Sequence, residues 1–78
     1  MQMKAISVER VKVNADGTEQ VRAFICASST PTVLPTTGDT VDGMSANQRF
    51  APFSILYVVE NADAKVFIAD ESGAFIAQ

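Results

Sequence analysis

SILYVVENADAKVFIADESGAFIA, residues 54–77, alternates three apolar runs with two short polar stretches. The first run, 54–60, consists mostly of β-branched and aromatic residues, which predicts a strand. The next two runs, 65–69 and 74–77, are separated by DESG, whose glycine tolerates the positive φ of a tight turn. Short strands with this punctuation predict a three-stranded antiparallel meander.

The N-terminal third predicts a β-hairpin. Residues 3–13 read as a strand whose apolar face switches midway, so we expect a bulge near Glu9 and Arg10. NADG, residues 14–17, has the polar residues and the glycine of a hairpin turn. The return strand, 18–28, becomes apolar on both faces in its second half, which indicates an internal strand covered on both sides.

The middle of the chain, between these two units, is the least regular. Residues 29–40 are rich in Pro, Ser and Thr and predict an ordered, extended crossing loop, with a flexible linker as the alternative. In the following segment, Ser45 and Gln48 have the spacing of a capping box, so one short helical turn before Pro52 is an open possibility.

Together these elements predict a single all-β domain over residues 1–78. We expect a small antiparallel five-stranded sandwich or barrel-like domain, made of the N-terminal hairpin, the long Pro/Thr loop and the C-terminal three-stranded meander. The sequence leaves the choice between sandwich and barrel open.

Composition bounds the function of the chain. A core from 78 residues supplies only about 3–5 kcal/mol of net stability without staples. One cysteine and no histidine exclude an internal disulfide and a histidine-based zinc site. Self-association is the remaining source of extra stability.

Charge and hydropathy argue against two classes of partner. The net charge is −3 and the basic residues form no stripe, so we expect no nucleic-acid binding. No apolar run approaches the ~18 residues of a membrane span. The N-terminus lacks an apolar h-region, so we also expect no signal peptide.

Catalytic chemistry has few candidates in this sequence. Without histidine, the commonest general base and the usual triads are missing. Cys26 falls inside a predicted strand, and most carboxylates fall in predicted exposed turns. The four glycines stand too far apart for a phosphate-binding loop. We therefore predict a non-enzymatic protein without a cofactor.

Two motifs in the loop region have a plainer interpretation. LPTTG, residues 34–38, matches the LPXTG signal that sortases cleave, but polar residues and strands follow it instead of a membrane segment and basic tail. GDTVDG, residues 38–43, holds two aspartates, fewer oxygen ligands than calcium needs. We interpret both as loop and turn sequences.

The loop region is also the predicted protein-contact surface. Phe50 and Phe53 flank Ala51 and Pro52 directly before the strongest strand. They would either cap the small core, which we favour, or form an apolar plug for a partner. The candidate contact residues are Leu34, Asp39, Asp42, Met44, Arg49, Phe50 and Phe53.

The order of strands and turns over about residues 23–78 supports a family resemblance. FAP followed by Ser54, then LYVV, VFI and DESG before Phe75, resembles short all-β proteins of bacteriophage and prophage virions, of the head-decoration or fibre-associated type. Two positions depart from those proteins, which often have glycine where Phe53 stands and tryptophan where Phe75 stands. The resemblance carries no catalytic residue.

The resemblance implies a virion structural protein, such as a capsid decoration or assembly subunit. Its partners would be itself, as a dimer or trimer, and a capsid or other virion protein. It would be assembled in the bacterial cytoplasm and end in the virion. The alternative is a prophage-encoded binding module or inhibitor that pairs an edge strand with a host protein. An enzyme or ligand-binding barrel is a third, weaker class.

Overall fold

The fold is all-β, as predicted. The computed structural model describes residues 3–29, 31, 33–35 and 41–78, and within these residues six strands form one mixed sheet and no helix occurs. The strands are β1 (Lys4–Val13), β2 (Glu19–Ala27), β3 (Gln48–Phe50), β4 (Ile55–Glu60), β5 (Asp63–Ala69) and β6 (Phe75–Ala77).

The two predicted strand units are both present. β1 and β2 form an antiparallel hairpin, and β4, β5 and β6 form an antiparallel meander. The sheet order is β1-β2-β4-β5-β6, with β3 paired to β2 on the side where β4 also pairs. β2 is therefore an internal strand, as its apolar second half indicated.

The prediction of a purely antiparallel, five-stranded sheet is wrong. β2 runs parallel to both β3 and β4, so Gln48, where β3 begins, lies beside the start of β2 and not beside its end. A parallel neighbour needs a crossover of about a dozen residues or more, and the connection between β2 and β3 supplies it without a helix in its described part. β1 and β6 lie at opposite ends of the described sheet, which is not closed into a barrel.

The possible helical turn at residues 45–48 is a turn followed by a strand. One of the two hydrogen bonds of a capping box is present, in which the Ser45 backbone N–H donates to Gln48 Oε1 at 2.8 Å. The Gln48 N–H in turn donates to the Ser45 carbonyl at 3.0 Å. The chain then pairs with β2 as β3 and does not continue as a helix.

β1 contains two register shifts instead of the single predicted bulge near Glu9 and Arg10. The shifts fall at Ile6 and Val11, each of which is an extra residue relative to β2. Both side chains are exposed. Two bulges explain why the apolar parity of this strand changes along its length.

The core lies on one face of the sheet, which we call the inner face. The connection between β2 and β3 covers it, since Leu34, Val41 and Met44 pack against the buried strand residues. Phe50 meets Phe75 edge to face, with ring centroids 5.1 Å apart. The strand residues of this core are Ala5, Ala23, Ile25, Ala27, Phe50, Leu56, Val58, Phe67, Ala69 and Phe75.

Ser54 joins β3 to β4 at a break in the ladder. Between the pairs Val21–Phe50 and Phe24–Ile55, two residues of β2 face four residues of the other strand. The fully buried Ser54 hydroxyl accepts a bond from the Ala23 N–H at 3.1 Å. It donates to the Ala51 carbonyl at 2.9 Å, with the Val21 carbonyl at 3.2 Å as a second acceptor. This side chain thus replaces the missing backbone pairing.

Two hairpin turns share one hydrogen-bond arrangement. Asp16 accepts from the backbone N–H and the hydroxyl of Thr18. Asp70 accepts from both donors of Ser72 and from the Ala74 N–H. The Thr18 hydroxyl lowers the pKa of Asp16, and the Ser72 hydroxyl lowers the pKa of Asp70, because these bonds favour the charged carboxylates.

We expect the fold to lose stability on the acid side of these pKa values. Because both folded-state pKa values lie below the unfolded value, the unfolded chain binds more protons, and stability falls as pH drops below about 4. Urea unfolding midpoints at about pH 6 and about pH 3 measure this effect. The double variant Asp16→Asn with Asp70→Asn should lose less stability than the wild type over that interval. Equal acid losses in the two proteins would contradict the assignment.

Candidate protein-contact surfaces

One set of side chains lies on the sheet face opposite the core. Residues directly opposite each other in neighbouring strands share a face. One row that the register joins consists of Phe24, Ile55, Ile68 and Ile76. The next row consists of Cys26, Tyr57 and Val66, and Val59 follows Tyr57 by two positions on β4. We call these eight residues the outer face.

The outer face is apolar and substantially exposed. Its four most exposed members are Phe24 at 42 %, Tyr57 at 39 %, Val59 at 58 % and Ile76 at 50 %. The remaining four are half-buried. No member carries a formal charge at neutral pH. A sheet face that meets water normally carries polar residues, so the composition of the outer face departs from the usual solvent-exposed pattern.

The centre of the outer face has a defined shape. The rings of Phe24 and Tyr57 are stacked, with centroids 5.9 Å apart and planes inclined by 28°. Beside them lies an apolar groove of about 290 Å³, lined by Cys26, Ala27, Ser28, Tyr57 and Val59. The groove walls contain no side chain charged at neutral pH, so this surface would fit apolar groups.

The sequence contained a signal for the outer face, and our interpretation of it was incomplete. The second half of β2 was predicted to be covered on both sides. The structure covers its inner side, where Ile25 is fully buried, but leaves Phe24 on the other side partly exposed. A strand that is apolar on both faces is expected to be packed against something on each face. Its sequence does not show whether both packing surfaces belong to the same chain.

The β1 edge of the sheet is poorly suited to pairing with another strand. Its two bulges interrupt the ladder, and Lys4, Glu9, Arg10 and Lys12 lie along it. Two ion pairs link β1 to β2. Arg10 Nη1 is 3.4 Å from Glu19 Oε2, and Arg22 Nη1 is 3.1 Å from Glu9 Oε1. Bulges and charges of this kind protect an edge from strand addition. The β1 edge is therefore a poor template for an added strand.

The predicted contact loop does not form one continuous surface. Asp42 is exposed, and its carbonyl accepts from the Ala5 N–H of β1 at 2.7 Å. Leu34 and Met44 are half-buried against the core. Asp39 lies outside the described residues.

The other predicted contact residues lie around the β3–β4 junction. Phe50 is buried at the end of the core, as in the core interpretation that we favoured, and this fold offers none of its ring to a partner. Arg49 is half-buried, and its Nη1 donates to the Ala46 and Gln48 carbonyls at 2.9 and 3.0 Å. For Phe53 the core interpretation that we favoured is wrong, because its side chain is exposed.

Phe53 combines exposure with an unusual backbone conformation. Its side chain is 67 % exposed and its φ is +73°. A bulky residue rarely adopts positive φ, which costs about 1–2 kcal/mol. Hydrogen bonds hold the backbone there, since the Phe53 N–H donates to the Ala69 carbonyl at 3.0 Å and the Ala69 N–H donates to the Ser54 carbonyl at 2.8 Å. These hydrogen bonds therefore hold in place the backbone that carries the exposed ring.

The described residues show no cluster of metal ligands and no helix that could cross a membrane. In residues 3–29, 31, 33–35 and 41–78, no group of three or more Cys, Asp or Glu side chains is placed to hold a metal ion. The same residues include no helix with the length and hydropathy to cross a bilayer. Cys26 is a free, half-buried thiol on the outer face.

Comparison with known proteins provides no further identification. No protein-family model, curated protein or solved structure matches this chain.

Proposed function

We propose that this chain is a non-enzymatic structural protein of a bacteriophage or prophage virion, such as a capsid decoration or assembly subunit, that acts through protein–protein contacts. The virion assignment rests on the sequence resemblance over residues 23–78. The observation that supports contact as the mode of action is Phe53. A strained backbone that keeps an aromatic side chain exposed is more typical of a functional site than of a packing solution.

Phe53 would act as an anchor that is particular to this chain, since the virion proteins that it resembles often have glycine at this position. Aromatic side chains often contribute most of the binding free energy at protein interfaces. A ring on a pinned backbone loses little conformational entropy on docking, which favours binding. On a symmetric particle, many copies of one modest contact are sufficient for stable attachment through avidity.

The alternative function, inhibition of a host protein by edge-strand pairing, has less structural support. β1 is bulged and charged along its length, and β6 has only three residues. Short or interrupted edges give a partner strand few consecutive backbone bonds. In the proposed function, the loop at Phe53 and the outer face make the protein contacts, and the sheet edges do not pair with a strand of another protein.

The first test of the proposal is the composition of purified particles. Virions isolated on a density gradient from the strain that encodes the chain should contain it in many copies per particle, as measured by quantitative mass spectrometry. Its presence in the lysate together with its absence from the particles would contradict the virion assignment.

Phe53→Gly should weaken particle binding and stabilise the free fold. Glycine accepts positive φ without strain, so the free energy of unfolding should rise by about 1 kcal/mol. Loss of the ring should weaken co-sedimentation with particles that lack the chain by about tenfold or more. Asn61→Gly is the matched control, because Asn61 also has positive φ, at +58°, but offers no aromatic contact. Equal binding by Phe53→Gly and the wild type would remove Phe53 from the interface.

A further inference from the structure

We propose that the outer face is covered by the outer face of a second copy of this chain, in a twofold-symmetric, face-to-face dimer. The inference rests on the proposed assembly function, for which it names one partner and the surface that binds it. Two sheets packed in this way would form a two-chain sandwich whose second layer is supplied by the other copy, which differs from the single-chain sandwich or barrel that the sequence predicts.

The available area meets the requirement of a dimer. A large apolar side chain presents about 150–250 Å², so the exposed fractions of Phe24, Tyr57, Val59 and Ile76, together with the half-buried members, leave about 500 Å² per chain. Two copies would remove about 1,000 Å² from water, the lower bound of a specific interface, before any contribution from the rim. A patch of about 500 Å² lies in the size range of the largest apolar patch on a typical monomer, and such patches are often functional.

The charge distribution favours a second copy as the occupant. The eight residues of the outer face carry no formal charge. Lys4, which continues the Cys26 row, lies on the edge strand β1, so pairing about an axis near β4 does not bring the two Lys4 side chains together. The β1–β2 hairpin carries four basic and three acidic side chains, whereas the β4–β6 meander carries one basic and four acidic ones. A twofold axis parallel to the strands places the hairpin of one copy over the meander of the other. Both rims of the interface are then electrostatically complementary.

The solution mass of matched variants tests this inference. Val59→Glu puts a charge into the outer face, and Val33→Glu makes the same change at a position that is 77 % exposed on the connecting segment. Light scattering after size-exclusion chromatography should give twice the 8.3 kDa chain mass for the wild type and for Val33→Glu. Val59→Glu should raise the dimer dissociation constant by about tenfold or more, because dimerisation would bury its charge.

Two additional measurements exclude loss of folding as the explanation. Circular dichroism should show the same sheet content in Val59→Glu as in the wild type, and Ile76→Lys, of opposite charge, should also give a monomer. The Cys26 thiol reports coverage directly, since maleimide should modify it more slowly in the wild-type dimer than in Val59→Glu at the same concentration.

Several results would overturn the inference. These are a monomeric wild type at every concentration, a trimer, or equal effects of Val59→Glu and Val33→Glu. The proposed function is tested separately, because the dimer is measured on the purified chain alone. A monomer that still requires Phe53 to bind particles would refute only the dimer. A dimer that is absent from particles would refute only the virion role.

Discussion

Gly43→Ala is expected to remove most of the protein's free energy of unfolding. Gly43 has φ +95°, and a Cβ atom at this position would lie 2.5 Å from the Ala5 backbone carbonyl oxygen. The carbonyl cannot move freely, because the Ala5 N–H bonds the neighbouring Asp42 carbonyl. Left-handed strain and the backbone clash together should cost about 3 kcal/mol, most of the stability expected for a core of this size.

Gly17→Ala is the matched control for this prediction. Gly17 has a similar φ of +90°, but no atom lies within 4 Å of the position of an added Cβ. Its cost should therefore be the conformational term alone, about 1–2 kcal/mol. Urea unfolding followed by circular dichroism, at one fixed chain concentration, measures both variants. Equal losses would mean that residues 41–44 do not hold the observed contact with β1.

Ser54→Ala is expected to lower the free energy of unfolding by about 2 kcal/mol. The change removes the acceptor of the Ala23 N–H, which is buried in the core. An unpaired buried donor costs about 1–3 kcal/mol. The Ala51 carbonyl loses the Ser54 hydroxyl as a donor in the same step.

Ser7→Ala provides the same chemical change at an exposed strand position. Its effect should stay within about 0.5 kcal/mol, as is usual for surface substitutions. Urea unfolding midpoints compare the two variants. If Ser54→Ala were as mild as Ser7→Ala, the hydroxyl would not be replacing the missing ladder pairing between β2 and the β3–β4 junction.

Local sequence signals predicted most of the strands. NADG and DESG form the expected turns, with Gly17 and Gly73 at positive φ, and five of the six strands begin and end within two residues of the prediction. These features depend on neighbouring residues only. β3 has three residues, and it exists because it pairs with β2, which is distant in sequence. The direction of β3 relative to β2 also depends on the path of the segment that joins them, and residue propensities do not determine that path.

The candidate site was predicted only in part. Phe53 was identified from its place beside Pro52, but its positive φ has no signal in a phenylalanine. Tyr57 and Val59 were predicted as strand residues and not as a surface. The sequence shows that a side chain is apolar, whereas its exposure depends on what the rest of the chain leaves uncovered.

We have proposed that the outer face is an interface between two copies of this chain. Isotope-filtered nuclear Overhauser spectroscopy on an equimolar mixture of labelled and unlabelled protein tests it most directly, because it detects only contacts between copies. We expect intermolecular contacts from the rings of Phe24 and Tyr57 to the methyl groups of Val66 and Ile68. Intermolecular contacts confined to β1, or none at concentrations far above those of size-exclusion chromatography, would contradict it.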